Sequence, residues 1–284
     1  MYKPMLANVF EKKEKTITFP CFAQPKLDGV RLCWDGNHMW SRKGKLLQGL
    51  PQLKRLLQRG FKGVSLDGEL FAEGMHFQDI ISSVRRTVNI NENTDIGYWL
   101  YDKPVEGLIF DRRLTMLRRQ FKQAAKKMTM DRFKIVNTIV CLNKDELLKA
   151  RDDFIAQGFE GCMYRSFDGD YKHGRRSNDL LKMKYTKEIE GKVIGYVEGT
   201  GKYKGTLGAI RVEISTAKID YEQRQDSVNI ISIEVGTGFT DNRRHNIWKS
   251  RSEYLNAVVT IKYQEETKDG LLRFPVFKEF RDYE

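Results

Sequence analysis

Residues 24–31 read QPKLDGVR, placing Lys26 two positions before Asp28-Gly29 and five before Arg31. A lysine set among a carboxylate, a turn glycine and a guanidinium reads as a nucleophile; a short surface turn is the plainer alternative. Asp28 can hold a metal or a hydroxyl, Gly29 lets the backbone approach a ligand, and Arg31 can grip phosphate or ribose. Four further stretches add to the spacing. LDGE sets Glu69 at a strand end, and FEGCMYR sets Glu160 just after a helix. Each carboxylate suits a divalent cation, though a solvated glutamate beside a glycine turn would look the same. LLKMK puts Lys182 and Lys184 two apart, hence on one strand face, where they can clamp a triphosphate or simply line an exposed edge. WSRKG places Ser41 and Arg42 in a turn that can touch phosphate.

The 284 residues suit two domains better than one core. The net charge of +12 points to a polyanionic partner, and it is unevenly placed. Residues 1–188 hold 35 Lys and Arg against 23 Asp and Glu, whereas residues 189–284 hold 15 of each. Cys21, Cys33, Cys141 and Cys162 form no C-x-x-C pair and have no histidines at zinc spacing. They read as reduced thiols of a cytoplasmic protein. No apolar run has the length of a signal peptide core or a membrane span, so a soluble protein without membrane contact is expected.

Val30, Leu32 and Trp34 alternate before Asp35-Gly36, and Met39-Trp40 returns, which predicts a hairpin. VSLDGELF, IGYWLYD, GCMYRS and LLKMK predict strands. LPQLKRLLQRG predicts a helix with Pro51 in its first turn and Gly60 after its end. RRLTMLRRQFKQAAKKM predicts a basic surface helix. NKDELLKARDDFIAQG predicts a helix opened by an Asn143–Glu146 capping box and stopped at Gly158. From Val193 onward short β-rich runs dominate, with one helical piece around DNRRHNIW, and an OB-fold fits that size. The boundary is expected near Lys187–Gly191.

Taken together, KPMLA, KLDGVR, SRKG, LDGEL, YWLYD, EGCMYR, YKHGRRS, LLKMK, LGAIRVE, VGTGFTD and RFPVF resemble small ATP-dependent DNA ligases of viral or bacterial type. These belong to the covalent nucleotidyltransferases, and the resemblance runs almost end to end. It implies an α+β fold: a nucleotidyltransferase (ATP-grasp-like ligase) domain of antiparallel sheets with helices over residues 1–188, then a C-terminal OB-fold β-barrel over 189–284. It implies that Lys26 attacks the α-phosphate of ATP and that AMP passes to the 5′-phosphate of a nick, where the 3′-hydroxyl displaces it. It gives Lys26, Asp28, Lys182 and Lys184 catalytic roles. Gln24, Arg31, Glu69, Tyr101 and Arg281 would join the lysines around the nucleotide. Tyr101 would stack on adenine, although Trp99 is near enough to compete. Glu69, Glu160 and Asp28 would hold Mg²⁺ or Mn²⁺, and Ser41, Arg42 and Arg176 would hold DNA. The expected partner is nicked double-stranded DNA, clamped by a monomer with no extra N-terminal DNA-binding domain.

The sequence departs from that pattern in three places. Where some viral relatives carry a latch, it has only EGTGKYKG. The polar stretch 215–229 has no assigned role, and EFRDYE keeps Arg281 without a later basic residue. Two rival readings are an RNA ligase or mRNA-capping guanylyltransferase, and a non-catalytic DNA-binding protein. The joint set of Lys26, Glu69, Glu160, Lys182 and Lys184 is more than a pure binder needs.

Overall fold

The computed structural model describes residues 2–90, 94–220, 225–264, 266 and 271–281, with side chains described at all of these except 216–220 and 225–229. It divides into two compact units, Met1–Lys184 and Tyr185–Glu284. Among the described residues no helix is long and apolar enough to cross a membrane.

The first unit runs β1 (Leu6–Val9), α1 (Phe10–Lys13), β2 (Cys21–Lys26), β3 (Val30–Trp34), β4 (Met39–Ser41), α2 (Pro51–Gly60), β5 (Leu66–Phe71), α3 (Phe77–Arg85), β6 (Gly97–Asp102), α4 (Phe110–Ala124), β7 (Phe133–Ile135), β8 (Ile139–Cys141), α5 (Lys144–Ala156), β9 (Gly161–Ser166) and β10 (Arg176–Lys184). Its strands form two five-stranded sheets, β1-β10-β9-β2-β8 and β4-β3-β5-β6-β7. Each is antiparallel except for one parallel edge pair, β1 with β10 and β6 with β7, so the sheets are mixed.

Strand alternation decides which side chains meet. In the first sheet Cys21, Ala23, Cys162, Tyr164, Leu181 and Met183 pack under α5 with Leu147, Ala150 and Phe154. The alternate residues of the same strands, Gln24, Lys26, Arg165, Lys182 and Lys184, fall on the opposite face. In the second sheet Leu32, Trp34, Leu66, Leu70, Tyr98 and Leu100 form a core with Leu53 and Leu57 of α2 and Leu117 of α4. Arg31, Asp67, Glu69, Trp99 and Tyr101 take its other face.

Helix ends follow local chemistry. The Asn143 side chain accepts from the Glu146 amide at 2.9 Å, while the Glu146 carboxylate accepts from the Leu142 amide at 2.8 Å, one residue further back than a simple capping box. The α5 helix stops at Ala156, ahead of Gly158, and Gly60 is the last residue of α2.

Two buried aspartates join the sheets. Asp102, with no solvent exposure, accepts from Arg113 of α4 at 2.8 and 3.1 Å and from Arg165 of β9 at 2.7 Å. Arg165 also donates to Gln24 Oε1 at 2.6 Å. Asp67 accepts from Arg31 at 2.9 and 2.5 Å and from the Tyr171 hydroxyl at 2.7 Å.

The second unit runs β11 (Lys187–Glu198), β12 (Leu207–Asp220), β13 (Gln225–Val235), α6 (Asp241–Lys249), α7 (Arg251–Tyr254), β14 (Val258–Tyr263) and β15 (Val276–Arg281). Its sheet has the order β13-β12-β11-β14-β15, all antiparallel, with the helices between the third and fourth strands. That is the strand order of a five-stranded OB barrel. Residues 185–188 lie in this unit because β11 pairs from Lys187 onward with β14. Polar stretch 215–229 is the far end of the β12–β13 hairpin, registered from Ser215↔Ile230 to Asp220↔Gln225; residues 221–224 lie outside the described ones.

Removing the Asp102 carboxylate leaves two buried guanidiniums without their counter-charge. Asp102→Leu is expected to cost about 3–5 kcal/mol of unfolding free energy by urea denaturation. Replacing Arg113 and Arg165 by Met in the same chain should recover part of it. A loss below about 1 kcal/mol for the single variant would mean that the network does not hold the sheets.

Candidate active site

The register places Lys26, Gly161 and Lys184 side by side across β2, β9 and β10. Glu160 precedes the glycine, and its amide donates to the Lys26 carbonyl at 3.0 Å. Its carboxylate therefore sits between two ammonium groups: Oε2 accepts from Lys26, and Oε1 lies 2.7 Å from Lys184 Nζ. Gly161 has a φ of +148°, and a Cβ there would come within 2.1 Å of the Met183 carbonyl oxygen. Only glycine keeps the three strands this close. Glu160 is 5% exposed, against 18% for Lys26 and 35% for Lys184. Burial alone would raise its carboxyl, but Lys26 and Lys184 outweigh burial and hold it below the ordinary carboxylate range. Lys182, on the same face, is lowered by burial and then by the charges of Lys184, Lys26 and Arg176, with Glu160 opposing.

The second sheet supplies the facing wall. Gly29 lets the turn after Lys26 press against β5, where a Cβ would lie 2.3 Å from the Leu70 carbonyl oxygen and 2.9 Å from Glu69 Cγ. Burial raises the Glu69 carboxyl to about 7, against the pull of Arg31 and Lys26. The Tyr101 hydroxyl donates to Glu69 Oε2 at 3.3 Å. Two guanidiniums lie near its ring, Arg31 at 5.6 Å and Arg165 at 5.5 Å from the centroid. Trp99, in contrast, is wall: it meets Phe71 and Phe159 edge-on, with Lys134 over its ring at 4.2 Å.

Lys26, Glu160, Lys184, Lys182, Glu69 and Tyr101 are thus brought together. Gln24 lies behind them, 1% exposed, donating to Thr138 at 3.0 Å and to the Tyr101 carbonyl at 3.3 Å. Arg31 is held by Asp67, and Asp28 occupies the turn beside Gly29. The Ser41 hydroxyl accepts from the Lys45 amide at 2.9 Å, closing a tight turn that leaves Arg42 exposed at its tip. Arg176, exposed at the start of β10, donates to the Ala7 carbonyl. Arg281 belongs to the second unit, where it pairs with Glu190 at 3.1 Å. The sequence did not single out Asp67, Asp102, Arg113, Arg165 or Tyr171, whose side-chain bonds to one another, to Arg31 and to Gln24 span 11 to 141 residues of chain. An aspartate closing an otherwise apolar strand, as in YWLYD, is the signal that could have found Asp102.

The family description "ATP dependent DNA ligase domain" matches residues 4–184, and "DNA ligase OB-like domain" matches residues 198–281. The DNA ligase of Haemophilus influenzae is 26% identical over 257 residues, covering 89% of this chain and 83% of that protein. A DNA ligase of African swine fever virus is 28% identical over 229 residues, covering 74% of this chain and 52% of that protein, so this chain spans about half the length of the viral relatives. Among solved structures, a Chlorella virus DNA ligase-adenylate is 29% identical with a TM-score of 0.58, covering 100% of this chain and 99% of that one. A Lig E DNA ligase shares the fold at a TM-score of 0.77 with 24% identity, covering 99% and 100%.

Glu69 makes stability depend on pH. Its carboxyl is raised in the folded protein from 4.5 to about 7, so its contribution is fully present below the unfolded value and is lost as pH rises through about 7. In metal-free buffer the Tm of the wild type should therefore fall relative to Glu69→Gln between about pH 5 and about pH 8. Parallel Tm curves for the two proteins would refute the assignment.

Proposed function

The chain belongs to the ATP-dependent DNA ligase family, and we propose that it seals 5′-phosphate/3′-hydroxyl nicks in duplex DNA as a monomer, with Lys26 carrying AMP. The observation that carries this reading is the Glu160 carboxylate held between Lys26 and Lys184, which flank Gly161 across three strands and are faced by Glu69 and Tyr101. In the first step Lys26, having given up its ammonium proton to become a neutral amine, bonds through Nζ to the α-phosphorus of ATP. A second N–H proton is released as the phosphoramidate forms, and pyrophosphate leaves with the electron pair of the broken P–O bond. The AMP then moves to the 5′-phosphate of the nick, and the 3′-hydroxyl displaces it. Each step spreads negative charge over phosphate oxygens, which fixed cations stabilise without reorganising. Lys182 and Lys184 stand on the nucleophile's side of the first sheet for that task. Tyr101, rather than the walled-in Trp99, is assigned to cover adenine. The exposed Arg42 and Arg176 are assigned to DNA phosphates, with Ser41 fixing the turn that carries Arg42. Arg281 is assigned to pyrophosphate and Gln24 to the support of the nucleotide pocket.

Among the described residues no three His, Cys, Asp or Glu side chains stand close enough to cage a cation. That suits Mg²⁺, which takes one or two carboxylates and completes its shell with phosphate oxygens and water. The half-buried Glu69 carboxyl, raised by desolvation to about 7 against the pull of Arg31 and Lys26, fits a cation ligand. Glu69 and Glu160 would hold it, with Asp28 at the neighbouring turn. Bound there, Mg²⁺ or Mn²⁺ would neutralise charge on the phosphates. Until then Glu160 holds Lys26 in place by its ion pair. The four cysteines are free and buried, consistent with action in the cytoplasm, where thiols stay reduced.

Mass spectrometry after incubation with ATP and Mg²⁺ tests the reading. One adenylyl group should appear on Lys26, GTP should give none, and RNA nicks should seal more slowly than DNA nicks. Lys26→Ala should lose the adduct yet close a nick that already carries 5′-AMP. An adduct on the variant would overturn the assignment of the nucleophile. Glu160→Ala should slow sealing by about 10²–10³-fold while leaving the far-ultraviolet circular dichroism unchanged, the range seen when one aligned electrostatic contact is removed. Turnover within about threefold of wild type would return Glu160 to a structural role.

A further inference from the structure

The positive charge of this chain is not gathered round Lys26. Residues 51–63 hold four Lys and Arg and no Asp or Glu, and residues 110–130 hold seven and one, so these segments carry ten of the net twelve positive charges. They include α2 and α4, which pack together on the second sheet. Leu53, Leu57, Leu117 and Ala124 bury the inner sides of these helices against Leu32, Leu70, Tyr98 and Leu100. The alternate strand residues Arg31, Glu69 and Tyr101 point the other way, toward Lys26. The outer surface of α2 and α4 is therefore separated from the nucleophile by the sheet and by the thickness of a helix, about 10–12 Å.

Arg113 turns inward to Asp102. Arg112, Arg118, Arg119, Lys122, Lys126 and Lys127 are exposed, and among the described residues none of them has a carboxylate partner. Seven residues of helix place Arg119 about 10 Å along the axis from Arg112, with Lys122 about 5 Å further on. Among the described residues Met116, 37% exposed, is the one large apolar side chain exposed on α2 or α4. The surface thus offers no row of rings for stacking unpaired bases, and no apolar patch for a membrane or a protein interface core. An unpaired line of cations without apolar anchors matches a phosphodiester backbone, which presents one charge per about 1.7 Å of duplex axis.

We propose that this α2–α4 face binds the backbone of a second duplex DNA segment while the nick is held on the Lys26 side, so that one molecule bridges two duplexes. The test uses the adenylylated full chain, first saturated with a short nicked duplex whose 3′ end lacks the hydroxyl. An unnicked, fluorescently labelled duplex is then titrated in at several salt concentrations. Wild type should bind it with a steep salt dependence. The Arg118→Glu/Arg119→Glu/Lys122→Glu variant should bind it at least about tenfold more weakly, with a log–log slope reduced by about three contacts, each worth about 0.9. The milder Arg118→Gln/Arg119→Gln/Lys122→Gln variant should lie between. Both should form the lysyl-AMP adduct and seal a short nicked duplex as wild type does. Failure of wild type to bind the second duplex, or equal binding by the variants, would overturn the proposal. Loss of nick binding by the same factor would overturn it too, by making the face part of the nick site.

Discussion

Asp102 is the constraint on which the rest of the first unit depends. It lies fully buried at the end of β6, and its two oxygens take the fork of Arg113 and one N–H of Arg165. Those arginines come from α4 and β9, so one carboxylate fixes the second sheet to a helix and to the first sheet. Taking three charges out of water costs several kcal/mol per ion before their attraction is counted. The remaining donors are satisfied in turn: Arg113 donates to the Gly169 carbonyl at 2.8 Å, and Arg165 to Gln24 at 2.6 Å. Asp67 repeats the device on β5 with Arg31 and Tyr171. Buried charge of this kind has few alternative pairings, which makes it a means of specifying one relative placement of the sheets.

With the sheets fixed, the period of two along each strand assembles the site. The apolar residues of β2, β9 and β10 turn to α5, and the polar ones between them turn to the second sheet. The same parity on β3, β5 and β6 returns Arg31, Glu69 and Tyr101. Two carboxylates on opposite walls then receive opposite treatment. Glu160 lies between two ammoniums and stays ionised; Glu69 is half-buried and is raised by desolvation to about 7. Identical side-chain chemistry gives one carboxylate already matched by protein cations and another suited to an added one.

Net charge shows a different division of labour. A surplus confined to residues 1–188 suggests that the nick is held wherever that surplus lies. In the fold, two segments that pack on the second sheet hold ten of the twelve net charges, and of their cations Arg113 alone is buried. Around Lys26, Glu160 is shared by Lys26 and Lys184, Asp67 pairs with Arg31, and Asp102 is shared by Arg113 and Arg165. The candidate site and most of the net positive charge thus lie on different surfaces of one unit.

Much of the site was legible in one dimension because its chemistry is local. K-x-D-G-x-R, LDGE, EGCMYR and LLKMK each set a reactive side chain beside the glycine or strand that positions it, and strand parity predicted that Lys182 and Lys184 share a face. The hairpin of β3 and β4, the helices α2, α4 and α5 and the β-rich second unit follow from periodicity and turn residues. What stayed hidden depends on partners far apart in sequence. Nothing near Asp102 indicates that Arg165, 63 residues on, will meet it. Nothing near Gly161 announces the Met183 carbonyl that excludes a side chain there. Residues 51–63 and 110–130 are each plainly basic, yet only packing against a common sheet makes them one surface. Sequence determined the types of side chain and their local faces, since propensity and periodicity act over a few residues. Tertiary structure decided which faces meet, since burial and charge pairing act across the whole chain.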